Sequence, residues 1–323
     1  MSNGFTTGFI DGHAINMPTI DGTSIYEKID HTHMTINFNI YRKLPLYVAC
    51  NYNKAKFIAK DKSGKAIKRG FFKADSNLDE SLQLGEGFYK SETNDHETME
   101  NQNSFDRGHI LSRRYTQWGD SPEEAKQNAN KTFYFTNIAP QTRELNQYEW
   151  EELEAFVIEH GKLKVDRVSI FSGIFFNEKD PIATYKEYKT NKVLNFQIPI
   201  AFWKIVYYQV KNELRKIAFA MSQKSRMKEL DFVQFYEEDT VRVAVDPFEK
   251  IDKELKPFII NSSLIEKITG LKFTPAHELF QEETPVEIIF ERIETDKLDE
   301  SDKTRGPKDP KYVIVNSSIV EFI

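Results

Sequence analysis

The tetrapeptide DRGH at residues 106–109 places an acid, a base, a glycine and a histidine side by side. The imidazole of His109 can accept a proton near neutral pH, which suits a general base that activates water. Arg107 supplies a planar, permanently charged donor suited to phosphate, and Asp106 can orient either neighbour or contact a hydrated metal ion. Gly108 gives the backbone conformational freedom beside the histidine. The alternative interpretation is a surface ion pair beside a packed histidine.

A second stretch that could do chemistry is NQYEWEELEAFVIEHG, residues 146–161, which has the pattern of an amphipathic helix. Its apolar stripe and its end are marked by Trp150, Leu153, Val157 and Gly161. Asn146 has two interpretations: a helix cap in an Asn variant of the capping box with Glu149, or an inward-facing amide in line with the stripe. Glu154 lies near the same stripe. A buried amide or carboxylate needs a polar partner.

The elements that must position these residues indicate a mixed α+β protein. Apolar flanks on both sides of the tetrapeptide predict a strand that ends in a polar cleft. The pattern further predicts a hairpin over 36–48, strands over 131–140, 165–176, 200–210 and 312–323, and helices over 121–130 and 262–270. We expect an N-terminal arm over 1–30, the domain that carries the site over 31–275, and a charged C-terminal extension over 276–323. Residues 76–103 predict a long surface excursion.

Composition sets limits on the ligand. The chain has 323 residues, 39% of them hydrophobic, and a formal net charge of −6. No global positive field attracts a polyanion, so such a ligand would need a metal ion or a local basic patch. Arg69, Arg113 and Arg114 are candidates for that patch, although ordinary ion pairs with nearby acids (Glu123, Glu124, Glu144) are an alternative. The lone Cys50 excludes an intrachain disulfide. Because no secretory or membrane-spanning pattern is present, we expect a cytoplasmic protein without membrane contact.

Three segments that follow one another, FDRGHI, FYFTNIAPQ and LNQYEWEELE, resemble the sequential signatures of the DNA/RNA non-specific endonucleases, the ββα-metal family. Four further segments resemble its endonuclease G-like bacterial branch: FIDGHAINMPTI, HTHMTINFNIYRKLPLYVACNY, SIFSGIFFNEKDP and IPIAFWKIV. The resemblance is patchy but ordered and extends over about residues 8–275. It implies a ββα-metal nuclease fold, with a central, mostly antiparallel sheet flanked by helices.

The resemblance also implies a role for each matching position. His109 matches the histidine that deprotonates the attacking water. Asn146 matches the asparagine that is the direct protein ligand of Mg²⁺, with Mn²⁺ as a substitute. Glu154 matches the glutamate that holds metal-bound water. Mg²⁺ keeps several waters, so that one amide oxygen from the protein suffices.

The remaining matches concern the phosphate and the support of the site. Arg107 matches a phosphate-contacting arginine, Asp106 the acid that opens the motif, and Asn137 a supporting asparagine close to the site. One departure concerns KRGFFKAD, where Phe72 replaces a tryptophan of the family and Arg69 stands one place early. Arg69 is therefore an expected phosphate contact on the basis of its approximate position in the family pattern alone.

The resemblance implies a hydrolase: a Mg²⁺-dependent, sugar-non-specific endonuclease that cuts DNA and RNA and leaves 5′-phosphate ends. Two alternatives stay open. One is a catalytically restrained nucleic-acid-binding protein, and the other is a phosphatase or phosphodiesterase that acts on small nucleotides. A wide basic groove beside His109 would favour polymeric substrates, and a closed pocket would favour small ones. Expected partners are DNA and RNA, an inhibitor or activating partner, and a second copy of the chain in a homodimer.

Overall fold

The computed structural model describes residues 4–19, 25–91, 104–159, 166–236, 251, 255–288, 290–293 and 311–314. In chain order, the strands are β1 (Tyr26–His31), β2 (Met34–Asn39), β3 (Leu44–Asn53), β4 (Phe105–His109), β5 (Ile138–Thr142), β6 (Arg167–Phe175), β7 (Ile182–Lys186), β8 (Val193–Gln197), β9 (Ala201–Val210), β10 (Glu213–Ser222), β11 (Val233–Gln234), β12 (Phe258–Ile260), β13 (His277–Glu278), β14 (Val286–Glu287), β15 (Phe290–Ile293) and β16 (Lys311–Ile314). The helices are α1 (Glu86–Tyr89), α2 (Arg113–Thr116), α3 (Pro122–Lys131), α4 (Trp150–Glu159), α5 (Lys224–Met227) and α6 (Ser262–Thr269). A π-helical turn, Leu145–Glu149, runs directly into α4.

A large sheet forms the centre of the described part of the chain. Eight of its nine strands follow the order β1-β2-β3-β6-β9-β10-β12-β14, and the ninth, β13, pairs with β10. Every pairing along that order is antiparallel, whereas β13 runs parallel to β10. Smaller sheets are formed by β11-β7-β8, by β15-β16 and by β4-β5. The predicted α+β class with a mostly antiparallel sheet is therefore confirmed.

The central strands β3, β6 and β9 are buried along almost their whole length. Consecutive side chains of a strand point to opposite faces, and β3 accordingly serves two cores. Val48 and Cys50 pack into the core that also holds the apolar side of α4, whereas Tyr47 and Ala49 pack into the core that holds α6. Apolar residues on both faces of these strands thus build a sheet with a layer on each side.

Two helix predictions rested on local signals and are confirmed. Helix α3 begins at Pro122, and Ser121 Oγ accepts a hydrogen bond from the Glu124 amide at 3.2 Å, as a helix cap does. Helix α6 ends at Gly270, which adopts the left-handed conformation with φ of 72°. No helix in the described ranges is long and apolar enough to cross a membrane.

The predicted strand over 131–140 is wrong in its bounds. The chain instead forms a 3₁₀ turn over Phe135–Asn137, and β5 then continues past Pro140 to Thr142. The turn is held by the Asn137 side chain, whose Nδ2 donates to the carbonyl of Thr132 at 2.9 Å. A proline is tolerated inside β5 because the strand pairs with β4 alone in a two-stranded sheet.

Residues outside the expected limits of the central domain also join the packed structure. Ile10 and Ile15, from the predicted arm, are buried in the core that holds α6. The strands β13 and β14, from the predicted extension, pair with β10 and β12. The division at residues 30 and 275 stays a prediction.

Candidate active site

The candidate site is built on the β4-β5 hairpin and the helical segment that follows it. Asp106 lies directly opposite Gln141, and His109 lies opposite Ile138. Because side chains alternate along a strand, Arg107 and His109 share one face of the hairpin, and Asp106 shares the other face with Gly108. The hairpin and the helical segment form a strand–strand–helix unit, in which β4 presents Arg107 and His109 on one face and Asp106 on the other.

The Asp106 carboxylate fixes the start of the helical segment. Its Oδ2 accepts hydrogen bonds from Asn146 Nδ2 at 2.9 Å and from Gln147 Nε2 at 2.8 Å. Because a carboxylate can only accept, the amide nitrogen of Asn146 must face Asp106. The Asn146 Oδ1 therefore points away from the carboxylate, as a cation ligand would require.

The interpretation of Asn146 as a helix cap is wrong. The preceding Glu144 already has helical backbone angles, and Asn146 lies inside the π-helical turn that leads into α4. The Asn146 side chain bonds to Asp106, forty residues earlier in the chain, and not to a backbone amide of its own first turn. A π-helical turn of this kind is often found at a functional site.

Gly108 is required for its lack of a side chain, and the expectation based on backbone freedom is wrong. Its φ lies outside the left-handed region, in a regular strand register. A Cβ at this position would lie 2.0 Å from Gln141 Oε1 and 2.2 Å from Gln141 Cδ. The Gln141 amide thus packs directly against the glycine. The amide is buried, and neither its oxygen nor its nitrogen has a hydrogen-bond partner among the described residues.

His109 lies among aromatic rings on the opposite face of β4. Its ring centroid is 4.8 Å from that of Phe133 and 5.5 Å from that of Phe72, and its buried Nε2 has no hydrogen-bond partner within the part of the chain that the structure describes. Burial, together with the positive charges of Arg69 and Arg113, lowers the pKa of His109 to about 3. The imidazole is therefore neutral near pH 7, and this low pKa makes it a weaker base than an exposed histidine.

Arg107 is held between two rings and an acid. Its guanidinium lies 5.5 Å from the Phe72 ring centroid and 5.3 Å from that of Tyr89, and its Nη2 donates to Glu86 Oε2 at 2.9 Å. Phe72, which replaces a tryptophan of the family, thus has a ring that contacts both Arg107 and His109. Glu86 and Tyr89 belong to α1, which the sequence did not connect with the site.

Two of the three predicted substrate arginines, Arg69 and Arg113, lie near His109, and Arg114 lies next to Arg113 on α2. The exposed Arg69 has its guanidinium 5.5 Å from the Phe133 ring centroid. Arg113 donates to the carbonyl of Ile67 at 3.1 Å, and burial beside Arg69 and Arg114 lowers the pKa of Arg113. Two of the acids that could have neutralised the arginines pair elsewhere: Glu123 pairs with Lys62, and Glu144 pairs with Arg226.

Glu154 is buried in α4 and paired with a lysine that the sequence did not single out. Lys204 Nζ lies 3.1 Å from Glu154 Oε1, and the lysine side chain has no exposed surface. The ammonium also lies 4.5 Å from the Trp150 ring centroid and 5.2 Å from that of Tyr115. Burial lowers the pKa of Lys204, although the Glu154 carboxylate opposes that shift.

Asn137 is fully buried and uses its amide for backbone support. Its Oδ1 accepts from the Leu111 amide at 3.1 Å, and its Nδ2 donates to the carbonyls of Leu111 and Thr132. These bonds hold the chain that leaves β4 just after His109. The supporting role implied for Asn137 stays a prediction.

Comparison with known proteins identifies the family of this chain. The sequence matches the family model for DNA/RNA non-specific endonucleases over residues 12–277. Since that span covers most of the chain, the protein belongs to the DNA/RNA non-specific endonuclease family, as the resemblance predicts. Family membership supports the expectation of a hydrolytic nuclease.

Two individual similarities are more distant. The uncharacterised protein y4fB of Sinorhizobium fredii (strain NBRC 101917 / NGR234) is 28% identical over 208 residues, which are 64% of this chain and 28% of that protein. The chain thus spans less than a third of the length of this relative. A solved structure, described as "Crystal structure of the EndoG/EndoGI complex: Mechanism of EndoG inhibition", is 17% identical with a TM-score of 0.47, over 78% of this chain and 86% of the other.

Proposed function

We propose that this protein is a Mg²⁺-dependent endonuclease that hydrolyses phosphodiester bonds of DNA and RNA without strong sequence preference. The observation that carries the proposal is the hydrogen bond from Asn146 Nδ2 to Asp106, which turns the amide oxygen of Asn146 away from the carboxylate. Asp106 lies on β4, the strand that also carries His109. The chain belongs to the non-specific endonuclease family.

The side chains around Asp106 fit a hard, hydrated cation. No group of three or more His, Cys, Asp or Glu residues in the described ranges could hold a metal ion, so any cation here depends on amide oxygen and water. Asn146 Oδ1 would be the direct ligand, and Glu154 would hold cation-bound water. Mg²⁺ prefers oxygen ligands and retains much of its water, and Mn²⁺ can substitute for it. The ion would supply charge stabilisation for the phosphate and the leaving oxygen.

The protein residues then divide the remaining tasks. The neutral imidazole of His109 takes the proton of the attacking water. Arg107 contacts the phosphate, which must compete with Glu86 for the guanidinium. Asp106 orients Asn146, and Asn137 holds the backbone after His109. The basic patch of Arg69, Arg113 and Arg114 binds neighbouring phosphates, and so offsets the net charge of −6.

A nuclease of this kind needs restraint inside a cell. We therefore expect an inhibitor, an activating partner or a compartment that controls access to nucleic acid. Assembly as a homodimer is the expectation carried over from the endonuclease G-like resemblance.

The test is incubation of the purified protein with covalently closed plasmid and with RNA, in Mg²⁺ or in EDTA. The proposal predicts nicked and linear plasmid and fragmented RNA in Mg²⁺, and intact substrates in EDTA. Hydrolysis of mononucleotides with both polymers left intact would contradict the endonuclease and favour the small-nucleotide alternative.

A further inference from the structure

A cavity beside the turn between β1 and β2 lies outside the set of residues assigned to hydrolysis. Its volume is about 170 Å³, and its walls include Phe9, His33, Asn51, Lys56, Trp118 and Asp120. A protein cavity of about 150 Å³ can hold a benzene molecule. This space, the His33 cavity, therefore has room for one aromatic ring system.

His33 brings an unused hydrogen-bond acceptor to the cavity. The residue is 7% exposed, and its Nε2 has no partner among the described residues. The imidazole stacks on Trp118, with ring centroids 3.4 Å apart and 14° between the planes, and it also donates a hydrogen bond to the Trp118 backbone. Because Nε2 is the atom without a partner, Nδ1 makes that bond. Burial lowers the pKa of His33 to about 4, so the ring is neutral at pH 7 and Nε2 can only accept.

The turn itself does not require an imidazole at this position. His31 and Met34 pair across the hairpin, and His33, in the two-residue turn between them, has a φ of 66°. Glycine or asparagine is the usual residue in a turn at such an angle. A buried acceptor without a partner also costs free energy. Both observations favour a role for the His33 ring beyond the turn.

The other walls define the chemistry of a ligand. Phe9 and Trp118 contribute apolar rings, with centroids 5.9 Å apart, that suit the face of a planar ring. Lys56 Nζ lies 2.7 Å from Asp120 Oδ1, with side-chain exposures of 49% and 72%, so the cavity reaches the surface at this pair. An exposed ion pair contributes little to stability, and Lys56 can therefore exchange Asp120 for another anion. A planar ring with an N–H donor and a nearby phosphate occur together in a nucleotide.

We infer that the His33 cavity binds the base of a nucleotide, with a base N–H that donates to His33 Nε2 and a phosphate that contacts Lys56. Two sources offer this chemistry: a free nucleotide, and an unpaired base of a nucleic-acid strand. The second source is within reach of the basic patch, because α2 begins with Arg113 and Arg114 and ends two residues before Trp118. The cavity shares no residue with the candidate active site, so the inference goes beyond the proposed function and can be tested without cleavage.

The test is isothermal titration calorimetry of the full chain in EDTA, with AMP and UMP as probes. Each probe is compared with an analogue that lacks the N–H donor of the base: purine riboside 5′-monophosphate for AMP, and 3-methyluridine 5′-monophosphate for UMP. A nucleotide that occupies the cavity should bind about tenfold or more tightly than its analogue, because the analogue leaves the buried Nε2 unpaired. His33→Phe keeps an aromatic ring against Trp118 but removes the acceptor, and should abolish that difference.

Lys56→Gln tests the phosphate contact. This variant should weaken binding of the nucleotide several-fold and leave binding of the corresponding nucleoside unchanged. Lys54→Gln is the matched control, because Lys54 is an exposed lysine two residues earlier that does not line the cavity. It should change the affinity for neither ligand.

Single-stranded oligoadenylate and oligouridylate, also in EDTA, distinguish the two sources of the base. A loss of oligomer affinity in His33→Phe would identify the strand as the source. A loss of mononucleotide affinity with unchanged oligomer affinity would identify the free nucleotide. Unchanged affinity for all of these ligands in His33→Phe would overturn the inference.

Two further outcomes would contradict the inference and leave the proposed function standing, because cleavage is measured separately. Binding of no mononucleotide and no oligomer to the wild type in EDTA would show that the cavity does not take a base. Equal affinity for a nucleotide and its analogue would show that Nε2 does not accept from the base. The second comparison uses the wild-type protein, and it decides the question should His33→Phe fail to fold.

Discussion

Replacement of Lys204 by methionine should sharply destabilise the protein. The ammonium lies 3.1 Å from Glu154 Oε1, and side-chain exposure is 0% for the lysine and 11% for the glutamate. At that separation Coulomb attraction is about 5 kcal/mol with an effective dielectric constant of about 20. Removal of one partner from a buried pair typically costs about 3–5 kcal/mol, because the other charge stays buried without compensation. We expect a loss near the middle of that range.

Urea denaturation of three variants tests this estimate. Lys204→Met should lower the free energy of unfolding by about 4 kcal/mol, and Lys204→Met/Glu154→Gln should recover most of it, since no uncompensated charge remains. Lys189→Met is the control: its pair with Glu80 spans 3.3 Å, with exposures of 60% and 72%, and should contribute at most about 1 kcal/mol. A similar small loss in Lys204→Met and Lys189→Met would mean that the buried pair contributes no more to stability than an exposed one.

Three further outcomes are expected. Asn146→Ser should stay folded but lose Mg²⁺-dependent cleavage; full activity at low Mg²⁺ would contradict the ligand assignment. The pKa of His109 is lowered to about 3 in the folded protein, so folding favours the neutral ring. The contribution of His109 to stability is therefore complete above about pH 6.5, and it is lost as the pH falls from there towards 3. NMR titration of the folded protein should show a neutral His109 at pH 5, whereas a midpoint near 6.5 would contradict the burial argument. Charge reversal at Arg69 or Arg113 should reduce the slope of log affinity against log salt concentration by about one unit or more for all duplex sequences. The slope is measured by fluorescence anisotropy of a labelled duplex, in Ca²⁺ if that ion does not support cleavage. An unchanged slope in both variants would place the substrate path elsewhere.

Local signals in the sequence predicted much of the scaffold. The apolar flanks of residues 106–109 indicated the strand β4, and the serine–proline start of α3 and the glycine after α6 set the limits of those helices. Each signal depends on residues that are neighbours in the chain, so it can be read without knowledge of the fold. The family resemblance then added roles that spacing alone could not assign.

Contacts between distant residues were not predictable in this way. Asn146 has the local sequence of a helix cap, but a carboxylate forty residues earlier determines where its amide points. The sequence of β9 does not indicate that Lys204 pairs with Glu154 of α4. The sequence predicts a conformational role for Gly108, whereas the structure places the Gln141 amide in the space that a side chain there would need. Such pairs depend on strand register and on helix placement, which have no local signature.

The most direct test of the central claim is the single-turnover cleavage rate of His109→Ala at saturating Mg²⁺, with nucleic-acid affinity measured on the same preparation. If His109 is the general base, the rate should fall by about 10²–10⁴-fold, as loss of a general base typically gives, with folding and substrate affinity close to wild type. A cleavage rate near that of the wild type would remove His109 from the mechanism.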